Sequence, residues 1–328
     1  MIDNLVKMCL DNGGEIKPLI IPSELTNGTG ITNPSIFIDG NKILLNIRHV
    51  DYSLYLCENQ QKFQTKWGPD YAPFCYLHPE DDLVLRTNNY LCEIETETLE
   101  IKSYLKVDTS KLDVAPVWEF IGLEDARLVR WDNKLFMCGV RRDTKTNGEG
   151  RMELSEIVDG KEISRYRIEP PNDPTSYCEK NWMPILDKPF HFVKWSNPTE
   201  VVKVNLENLT SKTVYHSKNF KDLKRDIRGG SQVIKIGDYY VAVTHEVDLW
   251  DSKHGKKDGR YHHRFIIWND NFEIVKTSDE FNFMSAGVEF SCGLAEYNGN
   301  LLITFGYQDN ASFLLKMPLD YFKNLLQL

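Results

Sequence analysis

Polar residues that could bind or protonate a substrate occur at corresponding places in five separated segments of the chain. In each segment a short polar turn follows about six to nine residues after one such side chain. These five residues are Asn33, Asp125, Asn181, Ser231 and Glu289. Across the same turns, the facing positions carry Arg48, Arg141, Lys194 or Trp195, His245 and Tyr307. If the segments converge, acids, cations, amides and a histidine share one space.

The pair Glu124-Asp125 is the main candidate for acid–base chemistry. Neighbouring side chains on a strand face opposite ways, so we expect only Asp125 to enter the shared space, with Glu124 in the wall in an ion pair. Arg127 follows Asp125 by two residues and should face the same way, toward a ligand or toward the acid. A positioned carboxyl group can transfer a proton, and guanidinium groups bind phosphate or carboxylate.

Two further segments place cations beside aromatic or small residues. Lys180 and Asn181 precede Trp182, whose indole suits a sugar platform or the core equally well. Arg228 precedes Gly229-Gly230, whose amides can approach an anion, although a glycine pair also occurs in ordinary turns. These segments therefore add binding candidates to Asp125.

The histidines and cysteines do not predict a metal site. His262 and His263 are neighbours on a predicted strand and diverge, so they cannot both ligate one ion without distortion. The seven cysteines are odd in number, scattered and never in a C-x-x-C pair. This pattern favours reduced thiols in the core over disulfides or zinc ligands. We expect no bound metal.

The elements that carry the candidate residues are strands. Period-two alternation recurs on both sides of five tight polar turns. The turns are Asp39-Gly40-Asn41, Asp132-Asn133, Asp187-Lys188, Gly237-Asp238 and Asn298-Gly299. A second alternating pair follows most of these hairpins, for example Met152 to Ile168 and Phe265 to Thr277. Five such four-stranded units predict an all-β, five-bladed β-propeller.

We expect residues 1–328 to form this single propeller domain, with short helices at the N- and C-terminal ends. Asp3 should cap the first helix and Gly13 should end it. The stretch of about 60–120 would hold the outer strands of the first blade and a long insertion. In this arrangement the equivalent positions of all blades point toward one central channel.

Composition and charge exclude several classes of protein. Hydrophobic residues make up 41% and charged residues 27% of the chain, which suits a soluble protein with a sizeable core and no membrane span. With 39 Lys and Arg against 48 Asp and Glu, the net charge of −9 has the wrong sign for a nucleic-acid partner. No secretory signal pattern opens the sequence, so we expect a cytoplasmic protein. The oligomeric state is not predicted.

Three short motifs resemble the five-bladed propellers of glycoside hydrolase family 130, a family of mannoside phosphorylases and related β-1,2-mannosyltransferases. The motifs are Asn33-Pro34 leading to Leu45-Asn46-Ile47-Arg48, Glu124-Asp125-Ala126-Arg127, and Phe305-Gly306-Tyr307-Gln308-Asp309. They occur in the order and blade positions of that family, from about Asn33 to Pro318. The chain departs from the family at Ala126, where proline is usual.

The resemblance implies inverting transfer of a hexosyl unit, in this family mannosyl, to or from a carbohydrate. It implies no cofactor, with inorganic phosphate, a sugar phosphate or a nucleotide sugar as co-substrate. Asp125 matches the acid that protonates the glycosidic oxygen, in phosphorylases through a sugar hydroxyl. Arg48, Arg127 and Lys180 would hold the sugar or the attacking anion, and Asp309 would bind sugar hydroxyls. The donor stays open.

Two other functions fit the same residues. A hydrolase of β-glycosides needs a carboxylate base for water, for which Glu289 or Glu246 is the candidate. A non-catalytic propeller would bind glycans or protein partners, with sugars stacked on aromatic side chains. The aromatic residues available for stacking are Trp118, Trp182, Trp195 and Tyr307.

Overall fold

The computed structural model describes residues 2–56, 74–77, 84–172, 175–220, 223, 226–251, 257–284 and 287–328. Nearly all described strands belong to five antiparallel sheets arranged as the blades of a propeller, which confirms the predicted all-β fold. The described helices are α1 (Leu5–Asp11), α2 (Ser23–Thr26) and α3 (Leu319–Leu326). The cap of α1 is Asn4 rather than Asp3, because the Asn4 side chain accepts a hydrogen bond from the Lys7 amide.

The strands follow one another outward in each blade, and the first strands of the blades contact one another around the axis. Blade 1 contains β2 (Ile31–Asp39), β3 (Lys42–Val50), β6 (Leu85–Ile94) and β7 (Ile101–Lys106), with β8 (Phe120–Ile121) parallel to β6. A separate hairpin is formed by β4 (Ser53–Leu56) and β5 (Phe74–Leu77). Blade 2 contains β9 (Glu124–Trp131), β10 (Lys134–Arg141), β11 (Arg151–Val158) and β12 (Lys161–Arg167). Blade 3 contains β13 (Met183–Pro184), β14 (His191–Trp195), β15 (Glu200–Asn205) and β16 (Thr210–His216).

The last two blades depart from this simple order. In blade 4, β17 (Arg228–Gly229) and β18 (Ile234–Ile236) both pair with β19 (Tyr239–Asp251), which is followed by β20 (Lys257–Trp268) and β21 (Ile274–Thr277). Blade 5 contains β22 (Glu289–Tyr297), β23 (Asn300–Tyr307) and β24 (Ala311–Pro318). Its outer strand is β1 (Glu15–Leu19), which pairs with β24 from Glu15 opposite Lys316 to Leu19 opposite Ser312. The two ends of the described chain thus close the ring together.

An apolar cluster fills the space between each pair of consecutive blades, because one face of every inner strand is hydrophobic. Trp182 belongs to the cluster between blades 2 and 3 and is buried, so it serves the core and offers no sugar platform. Cys9, Cys92, Cys138 and Cys292 are buried free thiols, as expected for core cysteines. Cys178, also a free thiol, is half-buried. Cys57 and the side chain of Cys75 lie outside the described residues.

A buried glutamine connects four blades near the axis. The Nε2 of Gln232, on blade 4, donates to the carbonyl oxygens of Ile36 on blade 1 (2.7 Å) and Leu128 on blade 2 (3.0 Å). Its Oε1 accepts from the amide of Leu294 on blade 5, at 3.2 Å. These hydrogen bonds fix the inner strands relative to one another, so the side chains at their ends are held at defined separations.

Candidate functional site

A carboxylate and a guanidinium group meet where blades 1 and 2 approach the axis. Asp125 Oδ1 accepts a hydrogen bond from Arg48 Nη1 and another from Asn33 Nδ2, both at 2.8 Å. Arg48 Nη2 lies 3.5 Å from Glu124 Oε2. The Arg48 side chain is 6% exposed, and those of Glu124 and Asp125 are each 17% exposed. The acids therefore keep a path to solvent while their cation is buried.

Local backbone geometry brings these groups together. Asn33 and Asp125 have left-handed φ values of 46° and 50°, and each lies in a bulge where two residues oppose one on the facing strand. Asparagine and aspartate tolerate this conformation better than most residues, and a bulge re-aims the side chain it carries. Consequently Glu124 and Asp125 both approach Arg48. This differs from the strict alternation expected of a regular strand.

A third carboxylate, Asp309, completes the centre. It follows β23 in a turn where its φ is 50°, and its Oδ1 lies 3.5 Å from the hydroxyl of Thr32. The same hydroxyl lies 2.9 Å from Asn33 Oδ1. Thr32 therefore connects Asp309 to the residue that holds Asp125.

The two aspartates differ in proton affinity. Burial alone would raise the pKa of Asp125, but the guanidinium groups of Arg48 and Arg127 and the Asn33 hydrogen bond outweigh it and hold this pKa below its usual value. Burial raises the pKa of Asp309, and the charges of Asp125 and Glu124 raise it further, although Arg48 opposes them. Asp125 is thus the carboxylate that stays ionised and free to act as a base down to lower pH, and Asp309 is the one that is protonated first.

Arg127 is fully buried and contacts protein groups rather than open space. Its Nε donates to the Gly230 carbonyl (2.8 Å), and its Nη1 donates to the Asp125 carbonyl (2.6 Å). Its Nη2 lies 3.4 Å from Asn181 Oδ1. Asn181 itself has a left-handed φ of 62°, as at the equivalent positions of blades 1 and 2. Arg127 therefore connects the inner ends of blades 2, 3 and 4 and supports the backbone that carries Asp125.

The Gly229-Gly230 pair has a packing role. A Cβ on Gly229 would lie 1.8 Å from the Asn181 carbonyl oxygen, and one on Gly230 would lie 2.4 Å from the Val243 carbonyl oxygen. Contacts this close exclude any side chain. Gly229 allows blades 3 and 4 to approach closely, and Gly230 allows close packing against β19 of its own blade, so both glycines are accounted for without an anion.

Two cations stand near the acids from the side of blades 3 and 4. Lys180 is exposed, and its charge helps to lower the pKa of Asp125. The Arg228 side chain is 40% exposed, with Nε 3.2 Å from Asp226 Oδ2. Burial lowers the pKa of His245 well below its ordinary value, and Lys180 and Arg228 lower it further, so this imidazole is neutral. Both cations are therefore accessible to an anionic ligand.

Tyr261 is a further candidate site residue, which the sequence did not single out. Its ring stacks on His245 at a centroid distance of 5.7 Å. Burial raises the pKa of Tyr261 to about 12, with further contributions from Asp309 and Asp125, so the phenol keeps its proton near both acids. A signal existed, since Tyr261 pairs with Val247, two residues after His245, and so shares its face of the sheet.

Several predicted site residues lie in other surroundings. Arg141 turns away from the axis, where its Nε donates to Glu153 Oε1 at 2.5 Å. The Glu289 carboxylate is buried and accepts hydrogen bonds from the amides of Phe283 (2.6 Å) and Met284 (2.7 Å). Tyr307 contacts Phe313 edge to face. The structure thus gives Arg141 and Glu289 protein partners away from the Asp125 carboxylate.

The remaining polar positions of blades 3 and 4 also have protein partners. Ser231 Oγ accepts from the Val243 amide at 3.0 Å, and His245 Nδ1 lies 2.8 Å from the Gly229 carbonyl oxygen. Lys194 Nζ lies 3.6 Å from Glu200 Oε2. Of the positions predicted to converge, those of blades 1 and 2, with Asp309, form the most direct contacts.

No group of three or more histidine, cysteine, aspartate or glutamate side chains among the described residues is arranged to hold a metal ion. Among the same residues, no helix has the length and apolar character needed to cross a membrane.

Comparison with solved structures finds similar folds. The β-1,2-mannobiose phosphorylase from Listeria innocua, in complex with β-1,2-mannobiose, matches with a TM-score of 0.53 and 12% identity over 95% of this chain and 96% of that chain. A mannose phosphorylase from Leishmania mexicana, in complex with phosphate ion, matches with a TM-score of 0.51 and 10% identity over 95% and 92%. A GDP-Man-dependent mannosyltransferase from Leishmania mexicana matches with a TM-score of 0.52 and 12% identity over 93% and 90%.

Comparison of the sequence with protein-family models and with curated proteins finds no match. At 10–13% identity the structural similarity shows the fold, and it confirms the resemblance to the family-130-like five-bladed propellers at that level.

Proposed function

We propose that this protein is a carbohydrate-active enzyme that transfers a hexosyl unit with inversion between a phosphate group and a sugar hydroxyl. It acts as a glycosyltransferase or a glycoside phosphorylase and needs no cofactor. The observation that carries the proposal is the ionised Asp125, held by Arg48 and Asn33, with Lys180 and Arg228 nearby. A carboxylate base beside exposed cations suits a reaction in which a sugar hydroxyl loses its proton and a phosphate group is the leaving group.

In the direction of transfer, Asp125 accepts the proton of the acceptor hydroxyl. The acceptor oxygen bonds to the anomeric carbon as the bond from that carbon to the phosphate oxygen breaks. The phosphate leaves with the electron pair, and Lys180 and Arg228 stabilise its charge. In phosphorolysis the steps run backward, and the proton on Asp125 returns to the glycosidic oxygen, directly or through a sugar hydroxyl.

The alternative functions have less support. The two candidate bases for hydrolysis are engaged in the protein, since Glu289 accepts two amide hydrogen bonds and Glu246 accepts from Arg264 Nε at 2.5 Å. Of the aromatic residues considered for stacking, Trp182 is in the core. Transfer to or from a phosphate group therefore uses the site more fully than hydrolysis or simple glycan binding does.

Mannose is the sugar we propose, on the basis of the motif resemblance and of the mannose-related names of three proteins with this fold. A product screen tests the proposal, using mannose 1-phosphate, GDP-mannose and manno-oligosaccharides, each with and without inorganic phosphate. We expect product that depends on phosphate or on a phosphate-activated donor. Hydrolysis in phosphate-free buffer without a donor would instead assign a hydrolase. Binding without product under every condition would assign a glycan-binding propeller. A cytoplasmic location stays a prediction.

The role of the cations is tested by Lys180→Met. Loss of a charged hydrogen bond to phosphate costs about 1.5–3 kcal/mol, so we expect the KM for phosphate or donor to rise roughly tenfold or more. Lys203→Met is the matched control, because Lys203 is also exposed and lies on the outer part of blade 3. Equal KM values for both variants and the unmodified protein would remove Lys180 from the proposed site.

A further inference from the structure

A polar cavity lies beside the Asp125 centre. It has a volume of about 360 Å³ and lies between blades 1 and 2. Residues of β6 line one side, residues of β10, β11 and β12 line the other, and part of the segment from Val107 to Leu123 lines the rest. We call it the interblade cavity. Its volume falls within the range of about 300–1,000 Å³ typical of small-molecule sites.

The blade 2 side of the interblade cavity is a buried ion network. Arg141 donates to Glu153 at 2.5 Å and to Glu162 at 3.3 Å. Arg165 donates to Glu162 at 2.6 Å and to Asp113 at 2.8 Å. Arg141, Glu153 and Glu162 side chains are at most 5% exposed. Burying charges on this scale costs several kcal/mol per ion unless they gain strong partners, so the network indicates a space built for polar contents.

The charged groups that line the cavity determine which kind of ligand it can bind. Four arginines and four carboxylates line the cavity, together with hydroxyl and amide groups such as those of Thr109, Ser155 and Asn88. An anion would meet Glu153 and Glu162, and an apolar molecule would leave the ions without polar contacts. An uncharged molecule with many hydroxyl groups matches, because carboxylates accept from hydroxyls and guanidinium groups donate to them. A sugar unit has this chemistry.

The cavity is connected to the proposed reaction centre. Thr87, which lines the cavity, accepts a hydrogen bond from Arg48 Nε at 3.2 Å. Gly122 and Leu123 also line it and lead directly into Glu124. Burial raises the pKa of Glu153, which shows that its ion pairs with the arginines do not fully offset the desolvation of this carboxylate. The cavity therefore adjoins, through Thr87, the Arg48 side chain that holds the Asp125 carboxylate.

The cations proposed for phosphate stand on the other side. Lys180 precedes β13 of blade 3, and Arg228 lies in β17 of blade 4. In an inverting displacement the attacking and leaving oxygens lie on opposite faces of the sugar ring. With the phosphate at Lys180 and Arg228, the sugar that carries the reacting hydroxyl approaches from the side of the interblade cavity.

We propose that the interblade cavity binds an uncharged sugar unit of the acceptor glycan, adjoining the reaction centre. The role of this sugar as the acceptor rests on the proposed transfer reaction, but its binding can be measured without turnover. Filling the cavity should therefore weaken glycan binding and leave phosphate binding intact.

The test compares Thr109→Trp, which fills the cavity, with Ser103→Trp on the exposed strand β7, which does not line it. Arg165→Gln is a second variant that removes donors from the lining without adding bulk. Titration calorimetry, with neither donor nor phosphate present, measures binding of neutral di- and trisaccharides of mannose, glucose and galactose. Circular dichroism and thermal unfolding confirm that each variant is folded.

We expect the unmodified protein and Ser103→Trp to bind the same glycans with Kd values within twofold. Thr109→Trp should raise that Kd at least tenfold, Arg165→Gln should also raise it, and the Kd for inorganic phosphate should be unchanged in all variants. Equal glycan affinity in Thr109→Trp, or no glycan bound by the unmodified protein, would overturn the proposal. If Thr109→Trp does not fold, Arg165→Gln decides.

The same proteins separate this proposal from the proposed function. Asp125→Asn should still bind glycans in the interblade cavity although it lacks turnover. Cavity-dependent binding with no product from any donor would refute the transfer reaction and keep the sugar site. Turnover with an acceptor KM that Thr109→Trp leaves unchanged would keep the reaction and refute the site.

Discussion

Replacement of Asp125 by asparagine tests the centre of the proposed mechanism. Asparagine has nearly the same shape, and its Oδ1 can still accept the hydrogen bond that Asn33 Nδ2 donates at 2.8 Å. It cannot accept a proton from an acceptor hydroxyl. Loss of a general base costs about 10²–10⁴-fold in rate. This equals about 3–5 kcal/mol of transition-state stabilisation, and we expect kcat to fall by that factor.

The effect on stability should be smaller than for a typical buried ion pair. Removing one partner of such a pair costs about 3–5 kcal/mol when the other charge is left alone. Here Glu124 Oε2 remains 3.5 Å from Arg48 Nη2, and Asp309 also acts on that guanidinium group. We therefore expect the free energy of unfolding to fall by only about 1.5–3 kcal/mol, which corresponds to one hydrogen bond to a charged group. Urea unfolding measures it.

Asp39→Asn provides a matched control. Asp39 is also paired with an arginine, since its Oδ2 lies 2.5 Å from Arg130 Nη2, but it ends β2 at the opposite end of that strand from Asn33. We expect unchanged kcat and a loss of at most about 1 kcal/mol in unfolding free energy, because the pair is partly exposed. A folded Asp125→Asn protein with kcat within tenfold of the unmodified protein would refute the assignment of Asp125.

Three further variants test the surroundings of the site. Gly306→Ala should lower the free energy of unfolding by about 1–3 kcal/mol and reduce kcat, because its Cβ would lie 2.2 Å from Asn33 Oδ1. Gly287→Ala should change neither, because its Cβ would lie 3.6 Å from the Gly259 carbonyl oxygen, an ordinary contact distance. Asp309→Asn should raise the free energy of unfolding at pH 7. The gain should shrink as the pH falls below the raised pKa of Asp309 in the folded protein and disappear below the ordinary pKa of an aspartate in the unfolded chain, where the carboxyl is protonated in both states. Gln232→Leu should lower the free energy of unfolding by about 2–4 kcal/mol, since it leaves two buried carbonyl groups and one amide without this partner.

The outcomes that would contradict these expectations are specific. Equal stability of the Gly306 and Gly287 variants would show that the backbone near Asn33 can yield. A loss of stability at pH 7 in Asp309→Asn would show that this carboxylate is stabilised by Arg48 more than it is penalised by burial. Unchanged urea unfolding of Gln232→Leu would show that the inner strands do not depend on this side chain.

The fold could be predicted because its signals are local. Period-two alternation and polar turns such as Asn298-Gly299 depend on residues a few positions apart, and their repetition identified the blades. The outer strand β1 of blade 5 could not be found in this way. It pairs with β24 across nearly the whole sequence, and nothing within Glu15–Leu19 identifies its partner.

Candidate site residues could be predicted only where they lie at equivalent positions relative to the turns of the blades. Counting from the turns located Asn33, Asp125 and Asn181. It could not predict that these three residues have left-handed φ values. Those bulges make Glu124 and Asp125 face the same guanidinium group, which a simple alternation rule forbids. The same counting wrongly placed Arg141 at the axis. Its side chain instead donates hydrogen bonds to Glu153 and Glu162 on the outer side of blade 2.

The pairing of β1 with β24 also has a consequence for synthesis of the protein. Glu15 leaves the ribosome about 300 residues before its partner Lys316, an interval of roughly 15–60 s at about 5–20 residues per second. During that time the N-terminal strand has no edge to join, and unpaired strands invite association with other chains. β1 therefore cannot join its blade until the last strand of that blade has been translated.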